Sequence, residues 1–233
     1  PDKAGQNVLP PYRTVFVNKM KVGIIGLTTV RGIPAVGASV NKGFFYTNGN
    51  TSGEVKKYID ILRNKEKVDV VVITSELELA NGVVLANNNP GIDVILSADM
   101  HEKTTVPIVA TTGTILVEEG EDAGVVGEVT LNVAGGKVKS WDFKQHAITD
   151  LIKEDPTIAA KIKEVIKPFH SGPDFNPNQS VTIGGNTAKL RRPLDTVIGY
   201  TAVPLHRSNF SHEDMPAAVE GSAHNFFADA MKW

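Results

Sequence analysis

The chain has 233 residues, 41% of them hydrophobic, which is enough to bury a substantial core in one large domain or two modest ones. With 24 Lys and Arg against 26 Asp and Glu, the net charge of −2 provides no general field for nucleic acid or an anionic membrane. No stretch approaches the roughly 20 apolar residues of a bilayer-spanning helix, and the lack of cysteine excludes disulfides, thiolate metal sites and cysteine nucleophiles.

The first predicted elements are a hairpin and a helix. Val15 and Val17 alternate with polar residues, "NK" predicts a turn, and residues 22–27 form a short apolar strand. A loop rich in Gly and Asn follows, from residue 31 to residue 50. Apolar residues spaced i, i+3, i+4 and i+7 then predict one face of a helix: Val55, Tyr58, Ile59 and Leu62.

A strand, a helix and a second strand come next. The run "VDVVVIT" (68–74) is continuously apolar and β-branched, which is typical of a strand covered on both faces. "ELANGVVLANN" (78–88) predicts a helix weakened by Gly82, and "GIDVILS" (91–97) predicts another covered strand. This order predicts a βαβ unit with parallel strands.

Three further segments, "TILVEEGED" (114–122), "VVGEVTLNV" (125–133) and "KVKSWDF" (137–143), predict antiparallel strands, and "AGG" joins the last two. Asp155 is then a predicted N-cap, with Pro156 at the first helical position. The helix that follows carries an apolar stripe: Ile158, Ile162, Val165 and Ile166.

Glycine, proline and asparagine cluster in "HSGPDFNPNQS" (170–180), which indicates a linker. We therefore expect a first domain over 1–170, a linker over 171–180 and the beginning of a second domain over 181–233. Within the second, "DTVIGYTAVPL" (195–205) predicts a strand and "SAHNFFADAM" (222–231) a helix. The linker-like start without Met and the uncapped end suggest that both termini are cut from a longer polypeptide.

Both covered strands end in polar residues. The first is followed by Glu76, and the second by Asp99 and His101. Because ligands bind at the carboxyl ends of strands in open α/β sheets, we expect these three side chains to face one point. Carboxylates and imidazole suit a hard or borderline divalent cation, so the three are candidate metal ligands.

A purely structural interpretation of the same residues stays open. Glu76 lies where the N-terminus of the following helix is predicted, so its carboxylate is equally suited to capping that helix. Asp99 is suited to capping a turn, and His101 to a loop position with ordinary polar contacts.

Four segments carry a resemblance to a known family: "KVGIIGLTT", "VVVITSELELANGVVLA", "PGIDVILSADMHEKT" and "GEVTLNVAGGKVKSWDFKQHAI". In this order and spacing they resemble the second half of the catalytic domain in the 5′-nucleotidase group of calcineurin-like metallophosphoesterases. The thiosulfohydrolases of sulfur oxidation are similar over the same region. "LDTVIGYTAVPL" and "EGSAHNFFADAM" resemble the start of that group's C-terminal domain, so the resemblance extends from about Pro10 to Trp233.

The resemblance implies an α/β fold, namely the second half of a four-layer αββα domain followed by the start of the C-terminal domain. It also implies hydrolysis of a small phosphate ester, such as a nucleotide, by water activated at a two-metal centre. The implied cofactors are divalent ions (Mn, Mg, Ca or Zn), the implied partner is the remainder of the same polypeptide, and the implied location is periplasmic or extracellular.

The chain departs from the family's pattern at the predicted ligands. Ser-His in the family is Ser75-Glu76 here, and Gly-His-x-His is Ala98-Asp99-Met100-His101, which adds two negative charges and favours Mn, Mg or Ca over Zn. The family's Asp-x-His, Gly-Asp and Gly-Asn-His-Asp/Glu motifs precede the segment that matches Pro10. This chain supplies about three of the roughly seven or eight ligands of a two-metal site. The alternative is a catalytically degenerate homologue that acts in binding or assembly.

Overall fold

The computed structural model describes residues 7–37, 39–50, 53–120, 123–183, 186–205 and 222–232. The described residues up to 148 belong to one compact unit, and those from 149 onward belong to a second. The helix that follows Asp155 therefore lies in the second unit, although the sequence analysis placed it within 1–170. The division into 1–170, 171–180 and 181–233 stays a prediction.

A six-stranded sheet in the order β1-β2-β3-β4-β6-β5 organises the first unit. Strands β2, β3, β4 and β6 run parallel, and β1 and β5 pair antiparallel at the two edges. The carboxyl ends of the four parallel strands therefore lie side by side along one end of the sheet, which we call the carboxyl edge. The six strands are β1 (Tyr12–Val17), β2 (Met20–Leu27), β3 (Val70–Ser75), β4 (Val94–Ser97), β5 (Ile108–Val109) and β6 (Ile115–Val117).

Three helices accompany this sheet: α1 (Gly32–Val36), α2 (Glu54–Asp60) and α3 (Glu78–Asn88). A wide π-helical turn, Ile61–Lys65, extends α2. The main core forms where α2 and α3 meet one face of the sheet. It includes Val55, Ile59 and Leu62 from the first helical segment, Leu85 and Ala86 from α3, and Ile25, Val71, Ile73, Ile95 and Leu116 from the strands.

Most elements of the first unit are confirmed. The β1–β2 hairpin turns at Asn18 and Lys19, whose φ angles of 47° and 69° match the positive values that a tight two-residue hairpin turn requires. The predicted helix at Val55 and the βαβ unit are confirmed, with β3 and β4 parallel. The α/β fold class is confirmed as well.

The antiparallel pairing expected for "TILVEEGED" is confirmed only in part. Three residues of this segment form β6, which pairs antiparallel with β5 on one side but parallel with β4 on the other and, among the described residues, with neither of the strands that follow it. Its three residues are all buried, as expected for a parallel strand covered on both faces. The antiparallel pair predicted next is confirmed as a separate hairpin of β7 (Val125–Ala134) and β8 (Lys137–Ala147), turning at Gly135 and Gly136.

The second unit contains α4 (Pro156–Ile166), β9 (Ser180–Ile183), β10 (Asn186–Lys189) and α5 (Ser222–Lys232). The predicted cap is confirmed, since Asp155 Oδ1 accepts from two backbone N–H groups at 2.8 and 3.0 Å. The strand predicted over 195–205 is wrong. Ile198 and Tyr200 there are 91% and 94% exposed, and no described segment pairs with this backbone to make it a strand.

Arg63 clamps the amino-terminal edge of the sheet. Its Nη1 donates to the carbonyl oxygens of Val68 (3.3 Å) and Asp69 (2.9 Å), and its Nε and Nη2 donate to that of Gly91 (3.2 and 2.9 Å). Nη2 also forms an ion pair with Asp93, whose Oδ2 accepts from the backbone of β3. One partly buried side chain therefore ties the π-helical turn to the starts of β3 and β4.

Arg63→Met should lower the free energy of unfolding by about 2 to 4 kcal/mol, because it removes these hydrogen bonds and leaves a partly buried carboxylate at Asp93. Urea denaturation followed by circular dichroism measures this. Lys56→Met is the matched control, since Lys56 pairs with Asp60 in an exposed i,i+4 position, and it should cost no more than about 0.5 kcal/mol. Equal losses for the two variants would contradict the clamp.

Candidate functional site

The carboxyl ends of the parallel strands lie side by side. Leu27 of β2 is in register with Ser75 of β3, which is in register with Ser97 of β4. The residues that follow these strands therefore meet along one edge, as the sequence analysis expected. The same edge receives Glu118, the residue that follows β6.

Glu76 is fixed to the end of β2. Its backbone N–H donates to the carbonyl oxygen of Leu27 at 3.2 Å, and its Oε2 accepts from the Thr28 hydroxyl at 2.8 Å. It does not cap α3. That position belongs to Glu102, whose Oε2 accepts from the backbone N–H of Leu79 at 2.7 Å in the first turn of the helix.

Asp99 forms an ion pair with Arg31, whose Nη1 lies 2.7 Å from Oδ2 of the carboxylate. Asp99 and His101 both have positive φ angles, 95° and 58°, which are uncommon for residues other than glycine. Such conformations cluster at functional sites and are retained where the surroundings hold them in place. The loop after β4 is therefore a constrained segment at the carboxyl edge.

Two of the three candidate ligands, Glu76 and Asp99, line a small cavity of about 270 Å³. Arg31, Glu76 and Asp99 line it, together with Thr28, Asn50 and Asn81. His101 is absent from the described residues that line this cavity. The structure thus brings Glu76 and Asp99 to a common space and places His101 outside it.

A larger cavity of about 820 Å³ adjoins the small one through Thr28, Gly49 and Glu76, which line both. Its volume is in the range of small-molecule sites. Its walls are mainly apolar and include Phe44 and Phe45. A ligand bound at Glu76 therefore has space for an apolar body beside a polar head.

The described residues do not by themselves fit a metal centre. No three acidic, histidine or cysteine side chains among them are gathered closely enough to hold an ion. The carboxylate of Asp99 is already bound to a guanidinium, which repels a divalent cation. The assignment of Glu76, Asp99 and His101 as metal ligands therefore stays a prediction that needs donors from outside the described residues.

Glu118 is a feature of this edge that the sequence analysis missed. It is 2% exposed, its Oε1 accepts from the backbone N–H of Glu102 at 3.0 Å, and its Oε2 has no hydrogen-bond partner among the described residues. The signal was an acidic residue directly after a covered strand, the same pattern that singled out Glu76. It was missed because the predicted strand (114–122) extended past Glu118 and its parallel pairing with β4 was not expected.

Burial raises the pKa of Glu118 above its usual value of 4.5, and the negative charges of Glu102 and Asp99 raise it further. The N–H of Glu102 and the nearby hydroxyl of Ser97 offset part of this rise. Neither that hydroxyl nor Oε2 of Glu118 has a partner with hydrogen-bonding geometry among the described residues. Glu118 therefore favours the neutral acid more strongly in the folded state than in the unfolded chain.

The sheet and its edge define an α/β protein with a candidate site where the parallel strands end. No family model matches the chain, and no curated protein matches it. Among solved structures, the chain is similar to the sulfate thiohydrolase SoxB of Thermus thermophilus in complex with glycerol, with a TM-score of 0.65 and 20% identity. That match covers 77% of this chain and 32% of the other.

The chain is also similar to a 5′-nucleotidase precursor, likewise from Thermus thermophilus, with a TM-score of 0.52 and 20% identity over 66% of this chain and 33% of the other. The resemblance to the 5′-nucleotidase group of metallophosphoesterases is therefore confirmed as a likeness of fold. The chain spans about a third of the length of these two structures.

Glu118→Gln should stabilise the protein increasingly as the pH rises above 4.5, the usual value of the carboxyl pKa. A raised folded-state pKa contributes stability that is full below the unfolded value and is lost as the pH rises through the folded value. The side-chain amide that Glu118→Gln introduces does not ionise in this range, so the loss does not occur in the variant. The amide also keeps an oxygen that accepts from the N–H of Glu102 and gains a donor near Ser97. Urea unfolding across the acidic to neutral range measures the difference.

Glu128→Gln is the control with the opposite sign. Hydrogen bonds from His146 and Thr130 lower the pKa of Glu128, so its contribution is present above the unfolded value and lost in acid. This variant should lose stability near neutral pH and approach the parent protein as the pH falls. A pH-independent effect of Glu118→Gln would contradict the raised pKa.

Proposed function

We propose that this chain is part of a hydrolase of small phosphate esters such as nucleotides, and that it forms the substrate-cavity wall at the carboxyl edge of the sheet. The observation that supports this is the meeting of Glu76 and Asp99 at one cavity, in a fold shared with a thiohydrolase and a 5′-nucleotidase precursor. The adjoining apolar cavity suits the alcohol part of an ester.

The charge of the small cavity sets a condition on this activity. Three carboxylates (Glu76, Glu78 and Asp99) and one guanidinium (Arg31) line it, which leaves a formal excess of two negative charges. A phosphate ester is repelled by that excess unless cations offset it. Divalent ions supply such charge and activate water for attack on phosphorus. We therefore propose that the activity requires donors from the remainder of the polypeptide.

The second candidate function is binding without hydrolysis, in a homologue whose metal site is degenerate. The ion pair between Arg31 and Asp99 favours it, because the carboxylate is neutralised inside the chain. Both candidates use the same two cavities. They differ in whether a bound ester is cleaved.

By analogy with the family, we propose a periplasmic or extracellular location. Within the part of the chain that the structure describes, no helix has the length and apolarity needed to cross a membrane. Fractionation of cells that express the intact protein tests the proposal, and recovery in the cytosolic fraction alone would contradict it.

Hydrolysis of 4-nitrophenyl phosphate by the intact polypeptide, assayed with Mn²⁺, Mg²⁺, Ca²⁺ or Zn²⁺, tests the hydrolase proposal. Glu76→Gln should lower kcat/KM by about tenfold or more, because it removes a carboxylate at the junction of the two cavities.

Glu164→Gln is the control, since Glu164 forms an exposed pair with Lys161 in the second unit, and it should leave kcat/KM unchanged. The absence of hydrolysis with all four ions, in a protein that still binds the ester, would overturn the hydrolase proposal and favour the binding protein.

A further inference from the structure

Arg31 is held in place by its own backbone. It lies between β2 and α1, where its N–H donates to the hydroxyl of Thr29 at 3.1 Å and its carbonyl oxygen accepts from Ala35 at 3.1 Å. Thr29 is buried, so the loop that carries Arg31 is anchored to the protein interior. The side chain therefore extends from a fixed position toward the loop after β4.

The guanidinium meets two consecutive residues of that loop. Nη1 contacts both Oδ2 of Asp99 and the sulfur of Met100, which is buried. The side chains of Arg31 and Asp99 are each 26% exposed, so the pair is partly withdrawn from water. Charges in this setting interact more strongly than those of an exposed pair, and removal of one partner leaves the other poorly solvated.

The same carboxylate stands where the family resemblance places a neutral histidine ligand. An aspartate at this position adds a negative charge, and the structure offsets it with a guanidinium that is 68 residues distant in sequence. A divalent ion on Oδ2 of Asp99 would lie within a few ångströms of Nη1, and repulsion between the two cations would oppose its binding. The contact with Arg31 and ligation of a metal therefore compete for one carboxylate.

We propose that Arg31 is the permanent counter-cation of Asp99, and that Asp99 is therefore not a metal ligand in this chain. The loops after β2 and β4 are then held together by this ion pair and not by a metal ion. Arg31 acts as a positioning residue. Its contacts with Asp99 and Met100 tie the loop after β4, where Asp99 and His101 have positive φ angles, to the loop after β2. The proposal holds whether the protein hydrolyses an ester or only binds one.

Binding of Mn²⁺ alone to the intact polypeptide, followed by the electron paramagnetic resonance signal of free Mn²⁺, tests the proposal. Asp99→Asn alone should lower the Mn²⁺ affinity, because it leaves the charge of Arg31 without its counter-ion, so the variant that tests ligation is the double one. Arg31→Met should increase the affinity by about tenfold, because it removes a charge that repels Mn²⁺ beside the carboxylate. The double variant, Arg31→Met with Asp99→Asn, removes both charges and should stay within about twofold of the parent, because the carboxylate it removes holds no ion.

Arg31→Lys keeps the charge and is the matched control, so its Mn²⁺ affinity should stay with the parent protein. A tenfold or greater loss of affinity in the double variant would overturn the proposal, as would an unchanged affinity in a folded Arg31→Met. If Arg31→Met does not fold, Arg31→Gln replaces it, both alone and in the double variant, and the comparison of the double variant with the parent still decides. These measurements follow Mn²⁺ affinity and not hydrolysis, so they test this proposal even if the hydrolase proposal fails.

Discussion

Parallel pairing of β2, β3, β4 and β6 is the constraint on which the candidate site depends. It brings the ends of four strands, spread over about 90 residues of sequence, to one edge of one sheet. The main core on the helix-covered face and the Arg63 clamp at the opposite edge fix the strands in this register. A shift of one residue along any strand would turn the side chains at its end to the other face.

Acidic residues follow three of these strands, and the surroundings of each side chain differ. The hydroxyl of Thr28 donates to Glu76, and the guanidinium of Arg31 neutralises Asp99. Burial raises the pKa of Glu118 and so favours its neutral form. Glu118 also accepts from the backbone of Glu102, which in turn accepts from the first turn of α3. The end of β6 is therefore linked through one loop to the start of a helix. Of these three acids, Glu76 is the one that lies at the junction of the two cavities, where the hydroxyl of Thr28 donates to it.

The sequence predicted what depends on short-range patterns. The continuous apolar runs of β3 and β4, the turn at Asn18 and Lys19 and the cap at Asp155 each have a local signal, and all are confirmed. The parallel pairing of β6 with β4 was missed because a three-residue buried strand has no periodicity that separates a parallel from an antiparallel partner. Arg31 was missed because its partner is distant in sequence and its loop has no periodic pattern. Adjacent strand ends predicted that Glu76 and Asp99 would meet, whereas the position of His101 depends on a backbone conformation that spacing does not reveal.

Anomalous X-ray diffraction from crystals of the intact protein soaked in Mn²⁺ tests the arrangement of this edge most directly. The account predicts Nη1 of Arg31 within hydrogen-bonding distance of Asp99 and no anomalous peak on that carboxylate. A peak at the roughly 2.0 to 2.6 Å of a metal–oxygen bond from Asp99, with Arg31 displaced, would contradict it.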